Sequence, residues 1–344
     1  MLRMTNDVQT KADAPMTSQD ISEKYNGGKK VIDFVGKKKI FFGISLGIIL
    51  IGIICNFIFG TTLDIQFTGG ATLTYSYTND KKPIDQEELR NFIQEHTTDK
   101  ITASFSTDLM GNTGENVSVQ FSGNDSIKTD IQDKLTKDLQ SKYPDNNFKN
   151  LEANSVDASM GFMFLLKCVA AVALASVLMV LYVTIRFKKI GGLSAGVMAL
   201  VALFHDIAMI YFLYVIFQMP IDSNFIAVVL MILGYSLNDT IVIYDRVREE
   251  RKLMGRKTDV GTVFNVSCTK TIRRTIMTSV TTLSAILVVY ILAFIFNINS
   301  VKSFALPMMI GVISGCYSSI CIAGPLWVMW QNKKAAKKAA EKAA

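Results

Sequence analysis

The chain has 344 residues, half of them hydrophobic, with a mean hydropathy of +0.30 and a formal net charge of +7. That composition is too apolar for an ordinary soluble enzyme, and the basic residues gather beside apolar runs rather than over one face, which argues for orientation in a membrane and against a nucleic-acid partner. Four of the five cysteines (Cys55, Cys168, Cys268, Cys316, Cys321) lie in apolar runs and the two histidines have no ligand spacing, so neither a disulfide framework nor a metal site is indicated.

Residues 1–36 are mostly polar and read as a flexible cytoplasmic tail. Ile40–Phe59 follows Lys37, Lys38 and Lys39; it is too long and starts too late for a signal peptide, and no small-x-small site follows it, so 37–60 is a first membrane helix. Five further runs, 161–185, 193–217, 225–244, 276–296 and 304–330, reach the roughly 20 residues that cross a bilayer as a helix. They define a five-helix bundle over 158–330, followed by a basic tail, 331–344. Lys37–Lys39, Arg186/Lys188/Lys189, the 246–274 loop and Lys333/Lys334/Lys337/Lys338 fall on one side, which predicts cytoplasmic termini.

Residues 61–157 then lie on the far side. Between Asp64 and Glu152 they carry 15 Asp/Glu against 9 Lys/Arg, the reverse of the cytoplasmic segments. Alternation predicts a strand over Ile65–Tyr77, a helix opening at Pro83 with Leu89, Phe92 and Ile93 on one face, strands at Ile101–Ser106 and Val117–Ser122, a helix over Ile127–Leu139 and a strand over Phe148–Val156. The expected fold is therefore a polytopic α-helical membrane protein: six transmembrane helices with one ferredoxin-like α+β (βαββαβ) extracytoplasmic domain between the first and second.

Gly43/Gly47, Gly192/Gly196 and Gly311/Gly315 are spaced four apart inside crossings and predict close helix packing. Ionisable residues at membrane depth cost about 2.5–3.5 kcal/mol or more each unless they face protein or water, which marks them as functional candidates. His205 and Asp206 fall near the middle of the third crossing, where an internally satisfied structural pair is the competing reading. Asp239 falls in Ser236-Leu237-Asn238-Asp239-Thr240, where an interfacial cap or charge pair competes. Arg273 and Arg274 open the fifth run as either a positive-inside anchor or, if Val263–Thr271 extends the helix inward, a partner for Asp239. Such an acid and arginine could form a proton relay, with Asn238, Thr240, Thr278 and Ser279 carrying hydrogen bonds.

The stretch Gly234-Tyr235-Ser236-Leu237-Asn238-Asp239-Thr240 continued to Glu249 resembles the fourth crossing of SecF-type members of the SecD/SecF protein-export family. So do Phe264-Asn265-Val266-Ser267, Arg273-Arg274-Thr275-Ile276, Gly191-Gly192-Leu193-Ser194 with His205-Asp206, and Ile310-Gly311-Val312 followed by Tyr317-Ser318-Ser319-Ile320; together the resemblance runs from about 31 to 330. It implies a non-enzymatic auxiliary subunit of the Sec preprotein translocase in the bacterial cell membrane. Its implied partners are SecD, the SecYEG channel, YidC, surrounding lipid, and unfolded exported polypeptides met through 61–157. No cofactor is implied; the energy source would be the proton gradient, with Asp239 and Arg274 in the relay and Arg273 ranked below Arg274. The family strand Gly-Ile-Asp-Phe-Thr-Gly-Gly reads Asp64-Ile65-Gln66-Phe67-Thr68-Gly69-Gly70 here, so the usual Asp is Gln66. Half of a small-molecule exporter of the RND type is the alternative, and a structural assembly factor without ion coupling is a third reading.

Overall fold

The structure is a computed structural model that describes residues 23, 26–28, 30–78, 84–95, 101–107, 114–122, 129–156, 158–255, 258–296 and 298–343. Pro83, Ile127 and most of the expected N-terminal tail lie outside the described residues.

Six helices are long and apolar enough to cross a membrane. They are α1 (Lys38–Phe59), α5 (Ala158–Arg186), α6 (Gly192–Ile216), α7 (Ser223–Met254), α8 (Val260–Ile295), and a last continuous crossing formed by α9 (Asn299–Ser318), a π-helical turn (Ser319–Ala323) and α10 (Gly324–Ala343). The centre of the bundle is α6, α7 and the last crossing, the last being 72% buried, whereas the apolar windows of α1, α5 and α8 are 11% buried. The outer three helices thus present long rows of apolar side chains, the composition that lipid or another membrane helix accepts.

Two expectations shift at the end of the bundle that lies opposite the α+β domain. The span 246–274 is not a loop: α7 continues to Met254 and α8 begins at Val260, capped by the Asp259 side chain on the Thr262 N–H at 3.0 Å. Glu250 on α7, 1% exposed, ties the two extensions together through Lys270 of α8 at 2.7 Å and is also paired along its own helix with Arg246 at 2.6 Å. Residues 31–36 are not a free tail either. The Asn265 side chain accepts from the Phe34 and Val35 N–H groups at 3.1 and 3.2 Å and donates to Asp33, while Phe34 is buried in the bundle core.

Between α1 and α5 stand α2 (Ile65–Thr68), β1 (Gly70–Thr78), α3 (Gln86–Glu95), β2 (Ile101–Thr107), β3 (Gly114–Ser122), α4 (Thr129–Lys142) and β4 (Lys149–Val156). From β1 onward the order is the expected βαββαβ. The sheet runs β2-β3-β1-β4 with every neighbouring pair antiparallel, Leu73 opposite Val119 on one side and Ala153 on the other. Leu73, Tyr75, Tyr77, Val117, Val119 and Phe121 point to one face and pack with Leu89, Phe92 and Ile93 of α3 and Leu135 and Leu139 of α4, the period-2 and period-3.6 patterns meeting in one core.

The strand predicted from Ile65 starts five residues late. Asp64 caps a helical turn by accepting from the Gln66 N–H at 2.9 Å, and Gly69 and Gly70 follow with φ of 76° and 136°, a path that only glycine takes cheaply. A Cβ on Gly70 would lie 2.1 Å from the Phe121 carbonyl oxygen, so the first position of the strand accepts only glycine.

Candidate functional site

Asp206 sits on α6 with no exposed surface. Its Oδ1 accepts from Ser314 Oγ at 2.6 Å, and its Oδ2 accepts from Ser318 Oγ at 2.8 Å and Ser236 Oγ at 3.0 Å, while His205 Nδ1 stands 3.3 Å from Oδ1. Three hydroxyl donors from two other helices therefore complement the carboxylate lone pairs. Ser236 is one turn from Thr240 on α7, and the π turn sets Ser319 beside Ser318. Ser319 Oγ donates to the Ser236 carbonyl at 3.2 Å and accepts from Thr240 Oγ1 at 3.0 Å. A π turn widens the helix locally; here two consecutive serines serve different neighbours, Ser318 meeting α6 and Ser319 meeting α7.

Asp239, three residues further along α7 from Ser236, is 2% exposed, and its Oδ2 has no hydrogen-bond partner. Among the described residues no ion pair within 4.0 Å joins it to Arg273 or Arg274, although the Arg274 charge acts on it through space. Thr275 Oγ1 on α8, 1% exposed, is also without a partner. Burying a polar group without a partner costs roughly 1–3 kcal/mol; other buried bundle atoms, Thr184 Oγ1, Tyr244 OH and Trp327 Nε1 among them, share that state, and Asp239 is the one carboxylate with such an oxygen among the described residues.

The predicted inward extension of α8 is present, yet it does not turn an arginine into the bundle. Thr271, Thr275 and Ser279, four apart, take the buried face, which leaves both Arg273 and Arg274 exposed. Arg274 instead lines an outer-surface groove of about 550 Å³ with Arg186, Asp245, Arg246, Glu249 and Lys270. Asn238 is exposed on α7, away from the serine network, while Thr240 belongs to it. His205 joins Asp206 on one side, and its buried Nε2 has no partner.

The paired glycines divide. Cβ atoms on Gly192, Gly196, Gly311 and Gly315 would come within 3.2 Å of Thr184, Val180, Ile232 and Ser236 respectively, so these four allow close helix crossings. A Cβ on Gly43 or Gly47 would meet no atom within 4 Å, so the close packing expected of that pair is absent within this chain. Cost arguments do not reach the serines of the last crossing, because a hydroxyl is cheap in an apolar helix; their sequence signal is the family-like stretch Tyr317-Ser318-Ser319-Ile320, which does not include Ser314.

A family model described as "Protein export membrane protein SecD/SecF, C-terminal" matches residues 135–333. The protein translocase subunit SecF of Petrotoga mobilis is 34% identical over 315 residues, covering 90% of this chain and 99% of that one. The protein translocase subunit SecDF of Bacillus subtilis is 29% identical over 313 residues, which are 90% of this chain but 39% of that longer one. Among solved structures, a SecDF from Thermus described as a translocon-associated membrane protein is 27% identical with a TM-score of 0.71, matched over 92% of this chain and 40% of its own. The chain belongs to the SecD/SecF family of protein export membrane proteins and is a multi-pass membrane protein.

Proposed function

We propose that the chain is the SecF-type auxiliary subunit of a Sec preprotein translocase, working beside a SecD subunit and drawing exported polypeptides outward at the expense of a proton gradient. The observation that carries this reading is Asp239: a carboxylate buried at membrane depth with an unpartnered oxygen, on a chain whose relatives are translocase subunits. The exposed face of α8 beside it, with Arg274, Thr278 and Thr281, is polar for a membrane helix and suits contact with a second helical subunit.

SecD is the first partner to expect, because relatives that join both parts in one polypeptide leave about three-fifths of their length beyond this match. SecYEG, YidC and unfolded clients at 61–157 follow from the same reading. The protein would lie in the bacterial cell membrane with cytoplasmic termini and 61–157 outside, without enzymatic activity or a bound cofactor. The relatives' export role also favours protein clients over the small molecules of an RND-type exporter. The test is to isolate the tagged chain from membranes and to follow secretion of a labelled exported protein in cells depleted of it. Co-isolation with SecD and slowed secretion are expected; isolation alone with unchanged secretion would contradict the proposal.

A further inference from the structure

The root of the external domain is built into the bundle rather than tethered to it. Ile221, in the outer turn between α6 and α7, donates its N–H to the Thr62 carbonyl at 2.9 Å and accepts from the Asp64 N–H at 3.0 Å, a parallel bridge across Leu63. Asp64 is 5% exposed and its Oδ2 accepts from Gln120 Nε2 of β3 at 2.9 Å, so one side chain ties the membrane exit to the sheet. One turn later Phe67, 3% exposed, leaves the external domain and enters a membrane-side cluster with Ile210, Tyr214, Val228, Ile232 and Val312. Its ring stacks on Phe164 with centroids 5.6 Å apart, and Gly161 sits so close that a Cβ there would lie 2.9 Å from the Gly69 nitrogen.

The cluster lies directly above the polar network. Ile210 is one turn from Asp206 on α6 and Ile232 one turn from Ser236 on α7, both toward the external domain, and Val312 stands just before Ser314 on α9. A displacement of α6 against α7 at the serine layer must therefore shift the walls of the Phe67 socket, since close-packed interiors transmit rather than absorb such shifts.

We propose that Phe67 is a positioning residue: a wedge through which the outer ends of α6, α7 and α9 carry the external domain as one body, so that rearrangement around Asp206 and Asp239 reaches β1 and β3 through it. The consequence for export rests on the proton-coupled reading above; the mechanical consequence does not.

The experiment uses the full chain in complex with SecD in lipid vesicles, with the native cysteines replaced and spin labels at Lys137→Cys on α4 and Phe296→Cys beyond α8. A narrow distance distribution is expected, broadened in Phe67→Ala and restored in Phe67→Leu. In vesicles that hold the SecYEG channel as well, Phe67→Ala should retain proton uptake but lose export by roughly fivefold or more, the lower end of coupling between linked sites. Equal distribution widths in all three proteins overturn the wedge, as does a Phe67→Ala protein that exports normally or loses uptake and export in parallel. Should the parent show no proton uptake, the proton reading fails and the distance distributions still decide the wedge. Should Phe67→Ala not accumulate, a Phe67→Leu distribution as narrow as the parent with normal export supports the wedge, and one broadened without loss of export overturns it.

Discussion

Two carboxylates share the membrane bundle and are treated in opposite ways. Asp206 is enclosed by three serine hydroxyls and a histidine nitrogen, each from a rigid helix, whereas Asp239, three residues past one of those serines on α7, keeps an unpartnered oxygen and a distant arginine. A satisfied buried acid fixes a geometry; an unsatisfied one marks a group held ready to exchange something. The hydropathy cost is similar for both, so the distinction lies wholly in the partners. Asp206 joins α6, α7 and the last crossing, and under the proposed function Asp239 is the group that exchanges a proton within that frame.

The contrast can be broken most severely at Asp206. Replacement by Ala leaves Ser314 Oγ without its acceptor, at about 1–3 kcal/mol for a buried hydroxyl without a partner, and reduces Ser318 to the Gly315 carbonyl at 3.3 Å and Ser236 to Ser319 Oγ at 3.5 Å. The thermal midpoint in detergent should fall sharply for Asp206→Ala and less for Asp206→Asn, which keeps one acceptor; equal midpoints for Asp206→Ala and the parent would remove its joining role. Next in size is packing. Gly311→Val forces a branched side chain against Ile232 and should cost about 1–3 kcal/mol by overpacking, while Gly43→Val meets open space in this chain and should leave its midpoint nearly unchanged.

How much of this was legible beforehand depended on the physics involved. Apolar length fixed the crossings, and alternation against Leu89, Phe92 and Ile93 fixed the external core, because both are properties of single segments. The 65–68 turn was missed because alternation continues through Ile65 and Phe67. What overrides it is the Asp64 cap and the two left-handed glycines, which are local, together with the socket that takes Phe67, which is tertiary. Gln66 in the place of the family Asp is accompanied by Asp64 as the buried acid of this segment. The two readings of the arginines stay open in the sequence for a similar reason: depth along α8 is readable, but the face on which each side chain emerges depends on Thr271, Thr275 and Ser279 taking the buried side. The serine cage was the least legible, since it joins α6, α7 and α9 across about a hundred residues.

The smallest expected effect lies at the outer rim. Burial pushes the Asp222 carboxyl above its ordinary 3.8; the Phe225 N–H it accepts from opposes this, and the nearby Asp64 charge adds to it. A carboxyl raised in the folded state binds its proton more tightly there than when unfolded. Its stabilising contribution is therefore fullest at low pH and is lost as pH rises through that window. Protection of the 218–222 turn amides, taken relative to the intrinsic exchange rate at each pH, should accordingly rise modestly on acidification from neutral pH, and Asp222→Asn should flatten the dependence.

The division of labour between the two acids is tested most directly by proton uptake into vesicles holding the chain together with SecD, comparing Asp239→Asn with Asp206→Asn at matched amounts of folded complex. Uptake should vanish in Asp239→Asn and persist, though reduced, in Asp206→Asn. Uptake that survives in Asp239→Asn and is lost in Asp206→Asn would contradict the account.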